Sequence, residues 1–202
     1  MKLIIMTKPT FFVEEDKILT TLFEEGLDNL HLFKPNSAPV YSERLLTLLA
    51  DDYRKRIMVH DHLYLKDEYR LKGININSAT ADVPTGYKGN VSRTCRSIEE
   101  LNTAKKNADY VMLRNIFDSQ TNPDEKATFS IEELKEAARN GIIDRHVYAQ
   151  GGINMDNLRM IKDLGFGGVV ICGDLWNRFN IHNGIDYKEV IAEFEKLRKA
   201  IG

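Results

Sequence analysis

Two glycine elements, Gly151-Gly152-Ile153-Asn154 and Cys172-Gly173-Asp174, stand where a phosphate could be held. Each follows a short apolar run and leads into a stretch with helical spacing. Glycine lets the main chain approach a ligand closely, and N–H groups at the start of a helix favour an anion. Gly151, Gly152, Cys172 and Gly173 are therefore the phosphate-binding candidates. The alternative is a pair of ordinary turn glycines, and the repetition after two successive strands favours the phosphate.

His60-Asp61-His62 is a second cluster with chemical potential. Alternation along a strand puts His60 and His62 on one face and Asp61 on the other, which makes transition-metal ligation by all three awkward. Asp61 fits better as one carboxylate on a magnesium–phosphate complex, although a plain polar strand end would read the same. His31 and His60 are the candidates for acid and base at neutral pH. Buried, hydrogen-bonded structural histidines would look alike. Lys34 either pairs with an anionic substrate or lies in solvent. Asn77, Thr94, Arg96, Arg114 and Asn115 end other strands and are the substrate-binding candidates. His146 falls at the opposite end of a strand and His182 in a late loop, so neither is a candidate.

These residues need a scaffold that brings strand ends together. Apolar runs at Leu3–Met6, Leu30–Phe33, Ile57–Val59, Ile74–Ile76, Val91–Thr94, Tyr110–Leu113, Val147–Ala149 and Val169–Cys172 read as strands. Helical stretches alternate with them: Val13–Glu25, Ser42–Tyr53, Leu63–Leu71, Asp156–Leu164 and Tyr187–Ala200. Ser97-Ile98-Glu99-Glu100 and Ser130-Ile131-Glu132-Glu133 are capping boxes that open two more. Parallel strands need such crossovers, here at spacings of roughly 20–27 residues. The pattern predicts an α/β fold, a (β/α)₈ barrel, with residues 1–202 as one domain. An open doubly wound sheet usually shows a glycine-rich turn after its first strand, where this chain has Thr7-Lys8-Pro9-Thr10. In a barrel the chemistry sits where strands end, so the candidates converge on one mouth.

Composition narrows the partners. A chain of 202 residues with 43% hydrophobic and 29% charged residues can bury a sizeable core. A net charge of −2 argues against nucleic acid or an anionic membrane as the main partner. No run approaches the ~18–20 apolar residues of a membrane span. Cys95 and Cys172 lack paired or metal-site spacing, which suits two structural thiols in a reducing cytoplasm.

At the level of motifs the chain resembles thiamine phosphate synthase and its relative TenI. Leu71-Lys72-Gly73-Ile74-Asn75-Ile76 is similar to the family's "ADGVHLGQ", and Thr94-Cys95-Arg96-Ser97-Ile98-Glu99-Glu100-Leu101 to "SxHSxEEA". The run from Ala108 to Phe117 matches "ADYVxxGPIF", Tyr148–Ile153 matches "AIGGI", and Gly167–Gly173 matches "ADGVAVxS". The resemblance covers nearly the whole chain and implies a barrel enzyme of thiamine biosynthesis. In such families the synthase joins a pyrimidine diphosphate to a thiazole phosphate with magnesium, whereas TenI binds and tautomerises the thiazole phosphate.

Departures from the pattern separate the two. The synthase's Gln-x-Arg-Glu-Lys after the second strand falls at His31, Phe33, Lys34 and Pro35. Its Thr-x-Thr-Lys after the sixth falls at Ser119-Gln120-Thr121-Asn122, without the lysine. Asp61 keeps one magnesium position, while the second carboxylate position is Thr80, with Asp82 nearby. Stabilising a departing diphosphate needs several positive charges or a metal, and most of those charges are gone. The thiazole-phosphate cradle is intact, so the resemblance implies a TenI-like role. Magnesium enters only if the chain is a synthase. TenI's proton-transferring histidine falls at Asn115, so His31 or His60 would have to replace it. A synthase, and a barrel that binds thiazole or thiamine phosphate without turnover, are the alternatives. The resemblance also implies a homodimer, to which the exposed-looking Trp176 and Phe179 would contribute.

Overall fold

Short runs rich in Ile, Val and Leu become strands when both of their faces are covered. In the computed structural model, which describes residues 1–180, 182 and 186–202, these runs close a parallel barrel. Its strands are β1 (Lys2–Met6), β2 (Leu30–Leu32), β3 (Ile57–Val59), β4 (Gly73–Ile76), β5 (Asn90–Cys95), β6 (Tyr110–Leu113), β7 (Val147–Gln150) and β8 (Gly168–Ile171). Closure runs from Lys2 opposite Gly168 to Ile5 opposite Ile171. The helices are α1 (Glu15–Glu24), α2 (Pro39–Thr47), α3 (Asp51–Arg54), α4 (Leu65–Glu68), α5 (Ile98–Lys105), α6 (Ile131–Arg139), α7 (Leu158–Asp163), α8 (Gly173–Trp176) and α9 (Lys188–Ile201). This is the (β/α)₈ barrel, and the open-sheet alternative is excluded. Both capping boxes form, at Ser97 and at Ser130.

Alternation along each strand makes two cores. Outward residues such as Leu30, Leu32, Ile57, Val59, Ile74 and Ile76 pack under the helices. Inward, Ile4, Met6, Met112 and Val170 fill one side of the barrel. The other side is polar: His31, Asn75, Ser92 and Thr94 are all buried.

Several expected elements changed. The single helix over Ser42–Tyr53 is two, because Ala50 adopts extended backbone and Leu48 turns to solvent while Leu45, Leu46 and Leu49 are buried. The helix expected at Val13 starts at Glu15, after Glu14 takes the left-handed conformation. Leu63–Leu71 shrinks to α4, stopped before the left-handed Arg70. Gly73 belongs to β4, where a Cβ would strike the Asn90 carbonyl. Trp176 and Phe179 are not exposed. The Trp176 indole N–H donates to the Met6 carbonyl at 2.7 Å, and Phe12 packs against both rings. They fasten α8 to β1 and leave nothing for a dimer surface.

Lys34 is also misplaced by the sequence reading. Its side chain is 1% exposed, 2.5 Å from the Glu15 carboxylate, and donates to the Thr10 carbonyl at 2.9 Å. Burial pushes the lysine down and the glutamate up, and their mutual attraction opposes both shifts. The pair ties the β1–α1 connection to the end of β2 and keeps the ammonium away from any substrate. Removing one member strands a buried charge, so Lys34→Ala is expected to cost about 3–5 kcal/mol in urea unfolding. Replacing both, as Lys34→Met with Glu15→Leu, should recover most of that loss. A loss for Lys34→Ala no larger than a surface pair's, under about 1 kcal/mol, would contradict the assignment.

Candidate functional site

The strands end around a cavity of about 500 Å³ at the C-terminal mouth of the barrel. One wall is main chain. Past β7, Gly151 and Gly152 have φ of 101° and 65°, which other residues adopt only with strain. A Cβ on Gly151 would lie 2.9 Å from the Asn115 backbone, and one on Gly152 would strike the Asp118 carbonyl. At Gly173 it would lie 2.7 Å from the Gln120 side chain. These glycines let the loops after β6, β7 and β8 close on one another. The Gly151 carbonyl accepts from Phe117 N–H at 3.0 Å, and the Gly152 carbonyl from Asn157 Nδ2 at 2.9 Å. Among the described residues nothing accepts from the N–H groups of Gly151, Gly152 or Gly173. All three residues and Cys172 line the cavity.

The facing wall is aromatic. Phe33 is held by Thr7, whose hydroxyl donates to the Phe33 carbonyl at 3.1 Å and accepts from its N–H at 3.0 Å. The His60 ring meets it edge-on at 5.4 Å. Thr94, Asn77, Arg114 and Asn115 complete the lining among the expected residues. Arg114 donates to Glu125 at 3.1 Å, and its Nε is buried without a partner.

Four expected site residues do not line the cavity. Lys34 is locked to Glu15, as above. Arg96 is exposed and donates to Asn77 Oδ1 at 3.1 Å. Asp61 accepts from the Lys34 main-chain N–H at 2.9 Å. His31 lies fully buried beneath the mouth, not at it. Its Nδ1 is 2.7 Å from His60 Nε2 and its Nε2 is 2.6 Å from the Tyr110 hydroxyl. His60 Nδ1 in turn is 3.2 Å from Asn75 Nδ2. Burial pushes His60 down to about 3 and His31 well below its ordinary value, with the neighbouring His60 and Lys72 adding to the shift on His31. Both rings are neutral at pH 7, and every ring nitrogen already has a protein partner. The expectation of an acid–base pair at His31 and His60 is corrected on that ground. Cys172 is no nucleophile either, since burial pushes its thiol up to about 11.

Motif reading singles out neither Tyr110 nor Ser92, and it places Asn75 and Gln150 at strand ends without giving them a role. The signal lay in alternation: polar residues at inward positions inside apolar strands, as in Ile74-Asn75-Ile76. Gln150 ends β7 with Oε1 buried and unpartnered.

A family model described as thiamine monophosphate synthase matches residues 41–175. The chain belongs to that family, which serves thiamine biosynthesis. Thiamine phosphate pyrophosphorylase of Bacteroides thetaiotaomicron has a crystal structure 51% identical to this chain, covering 99% of it and 97% of that chain, with a TM-score of 0.87. A thiamine-phosphate synthase of Fusobacterium nucleatum is 27% identical over 127 residues, which span 60% of each protein. The thiamine phosphate pyrophosphorylase of Pyrococcus furiosus, 21% identical with a TM-score of 0.75 and covering 99% of this chain and 95% of that one, shares the fold. Among the described residues, no helix is long and apolar enough to cross a membrane.

Carboxylates are sparse at the mouth. Among the described residues no group of three or more His, Cys, Asp or Glu side chains could hold a metal. Asp61 lies off the cavity with one oxygen engaged, and Glu125, the carboxylate on it, is paired with Arg114.

The histidine pair makes stability depend on pH. In the unfolded chain each imidazole takes up a proton near 6.5, while folded His60 resists until about 3. Between those values the unfolded state binds more protons, so stability is full above pH 6.5 and falls as the pH drops. His60 alone should cost about 2 kcal/mol between pH 6.5 and 5, with His31 adding in the same direction. Urea midpoints measured from pH 8 to 5 test this, and a flat profile would refute the neutral, buried pair.

Proposed function

We propose that this chain binds a thiazole phosphate at the C-terminal mouth of its barrel, in a TenI-like role within thiamine biosynthesis, with residues 1–202 working as one domain. The observation that carries the reading is the set of unpaired N–H groups on Gly151, Gly152 and Gly173 beside the cavity. A phosphate accepts such donors with charge-assisted bonds, which are shorter and stronger than neutral ones. Thr94, Asn77 and Asn115 offer polar contacts to the rest of the ligand. With both histidines engaged, Glu125 is the carboxylate on the cavity placed to exchange a proton with a bound ring. A homodimer is proposed on the family resemblance alone.

The names of the relatives favour a second reading, thiamine phosphate synthase itself. Against it stand Phe33, Pro35 and Asn122 where the resemblance places polar or cationic groups, together with the captive ammonium of Lys34. Each missing contact to a diphosphate removes roughly 1.5–3 kcal/mol, so two or three would lower the rate by several orders of magnitude.

Thermal unfolding with added thiazole phosphate tests the binding, since a ligand at about 100 times its Kd stabilises by about 2.7 kcal/mol. The wild type should be stabilised. Gly152→Ala, which drives a methyl into the Asp118 carbonyl, should lose the effect, and Glu125→Gln should retain binding while losing tautomerisation. No stabilisation by thiazole phosphate would sink the reading. Thiamine phosphate formation from both substrates with magnesium, at an ordinary enzyme's turnover, would replace it with the synthase.

A further inference from the structure

Where the resemblance places an arginine after β2, at Phe33, this chain has an aromatic wall built on a chain of hydrogen bonds inside the barrel. The Ser92 hydroxyl donates to Asn75 Oδ1 at 2.8 Å, and the amide nitrogen faces Thr94 Oγ1 at 3.0 Å and His60 Nδ1 at 3.2 Å. An amide nitrogen only donates, so His60 Nδ1 accepts and the ring proton sits on Nε2. That proton goes to His31 Nδ1, and His31 Nε2–H goes to the Tyr110 hydroxyl, which also accepts from Asn29 Nδ2 at 3.0 Å. Every link is inside the barrel, and His60 has no nitrogen left for the cavity. What it shows there is ring carbon, edge-on to Phe33.

We infer that Phe33 and His60 form a ring-binding wall for a flat, uncharged heteroaromatic group, with His31, Tyr110, Asn75 and Ser92 as positioning residues that hold the His60 ring in one orientation with both nitrogens occupied. The anionic end of the same ligand then reaches the glycine amides on the facing wall. This deepens the proposed function and rests on it for the phosphate end. The wall takes a ring where the resemblance would put a diphosphate. Phe33 and His60 are binding residues here, and neither moves a proton.

Calorimetric titrations with methyl phosphate, phenyl phosphate, thiazole phosphate and inorganic pyrophosphate separate the two claims. One ring face removed from water adds about tenfold in affinity, so phenyl phosphate should bind about 10-fold more tightly than methyl phosphate. Phe33→Ala should erase that preference and leave methyl phosphate unchanged. Pyrophosphate should gain little over methyl phosphate. Equal affinity for phenyl and methyl phosphate, or a pyrophosphate affinity more than about tenfold above methyl phosphate's, overturns the wall. A ring preference with no binding of thiazole phosphate sinks the proposed function and leaves the wall standing. No binding of any of the four overturns both.

The positioning residues are read separately, by nitrogen NMR of the imidazoles. Wild-type His60 should hold the Nε2–H form unchanged from pH 8 to 5. Tyr110→Phe removes the acceptor at the end of the chain, so His60 should become a mixture of both tautomers and the phenyl preference should shrink. If Tyr110→Phe does not fold, Ser92→Ala opens the chain at its other end and is read the same way. An unchanged tautomer in a folded variant overturns the positioning role.

Discussion

A barrel interior offers little water to a polar side chain, so each inward polar group on β2 to β6 has to find its partner inside the barrel. His31, Asn75, Ser92, Thr94 and Tyr110 meet this constraint by bonding to one another, with Asn29 below and His60 above. Directional bonds leave little freedom: with the Asn75 amide nitrogen toward His60 Nδ1, each imidazole proton has one place in the chain. The apolar half, from Ile4, Met6, Met112 and Val170, packs without such directionality and could exchange residues of similar volume more freely. The polar half therefore sets the geometry of the floor on which the mouth is built. Tyr148, stacked on Tyr110 at 4.6 Å, braces it from the β7 side.

Charge at the mouth obeys a similar economy. Lys34, Arg96 and Arg114 each have an internal partner: Glu15, Asn77 and Glu125 respectively. Only the first is fully buried, and there the loss of water makes the pairing obligatory. Of the three, Lys34 and Arg114 are paired with carboxylates, while Arg96 meets a neutral amide. The glycine loops add main-chain N–H groups to the cavity wall. Such donors are fixed in direction by the loops that carry them. Those loops can approach only because Gly151, Gly152 and Gly173 lack a Cβ.

Family membership and this site are compatible because the two halves of the mouth follow the family pattern to different degrees. The glycine elements after β7 and β8 keep the pattern of the resemblance. The ends of β2 and β3 do not, and aromatic residues stand there in place of polar and cationic ones. The Bacteroides thetaiotaomicron protein, at 51% identity over 99% of this chain, is the natural comparison for asking whether the aromatic wall is shared.

The barrel, its strand order and the glycine loops were legible in the sequence, because they depend on local periodicity, crossover length and the backbone freedom of glycine. The two capping boxes were legible for the same reason, since each is closed by residues three apart in the chain. The break in the helix after Thr47, the burial of Trp176 and the capture of Lys34 were not, because each depends on what another element brings opposite. Nothing near Lys34 in the chain announces Glu15 as its partner. The histidines show the division most clearly: His31 and His60 are written in the sequence as acid–base candidates. Only the closure of the barrel, which buries His31 against Tyr110 and sets the nitrogens of His60 against His31 and Asn75, leaves both rings fully bonded.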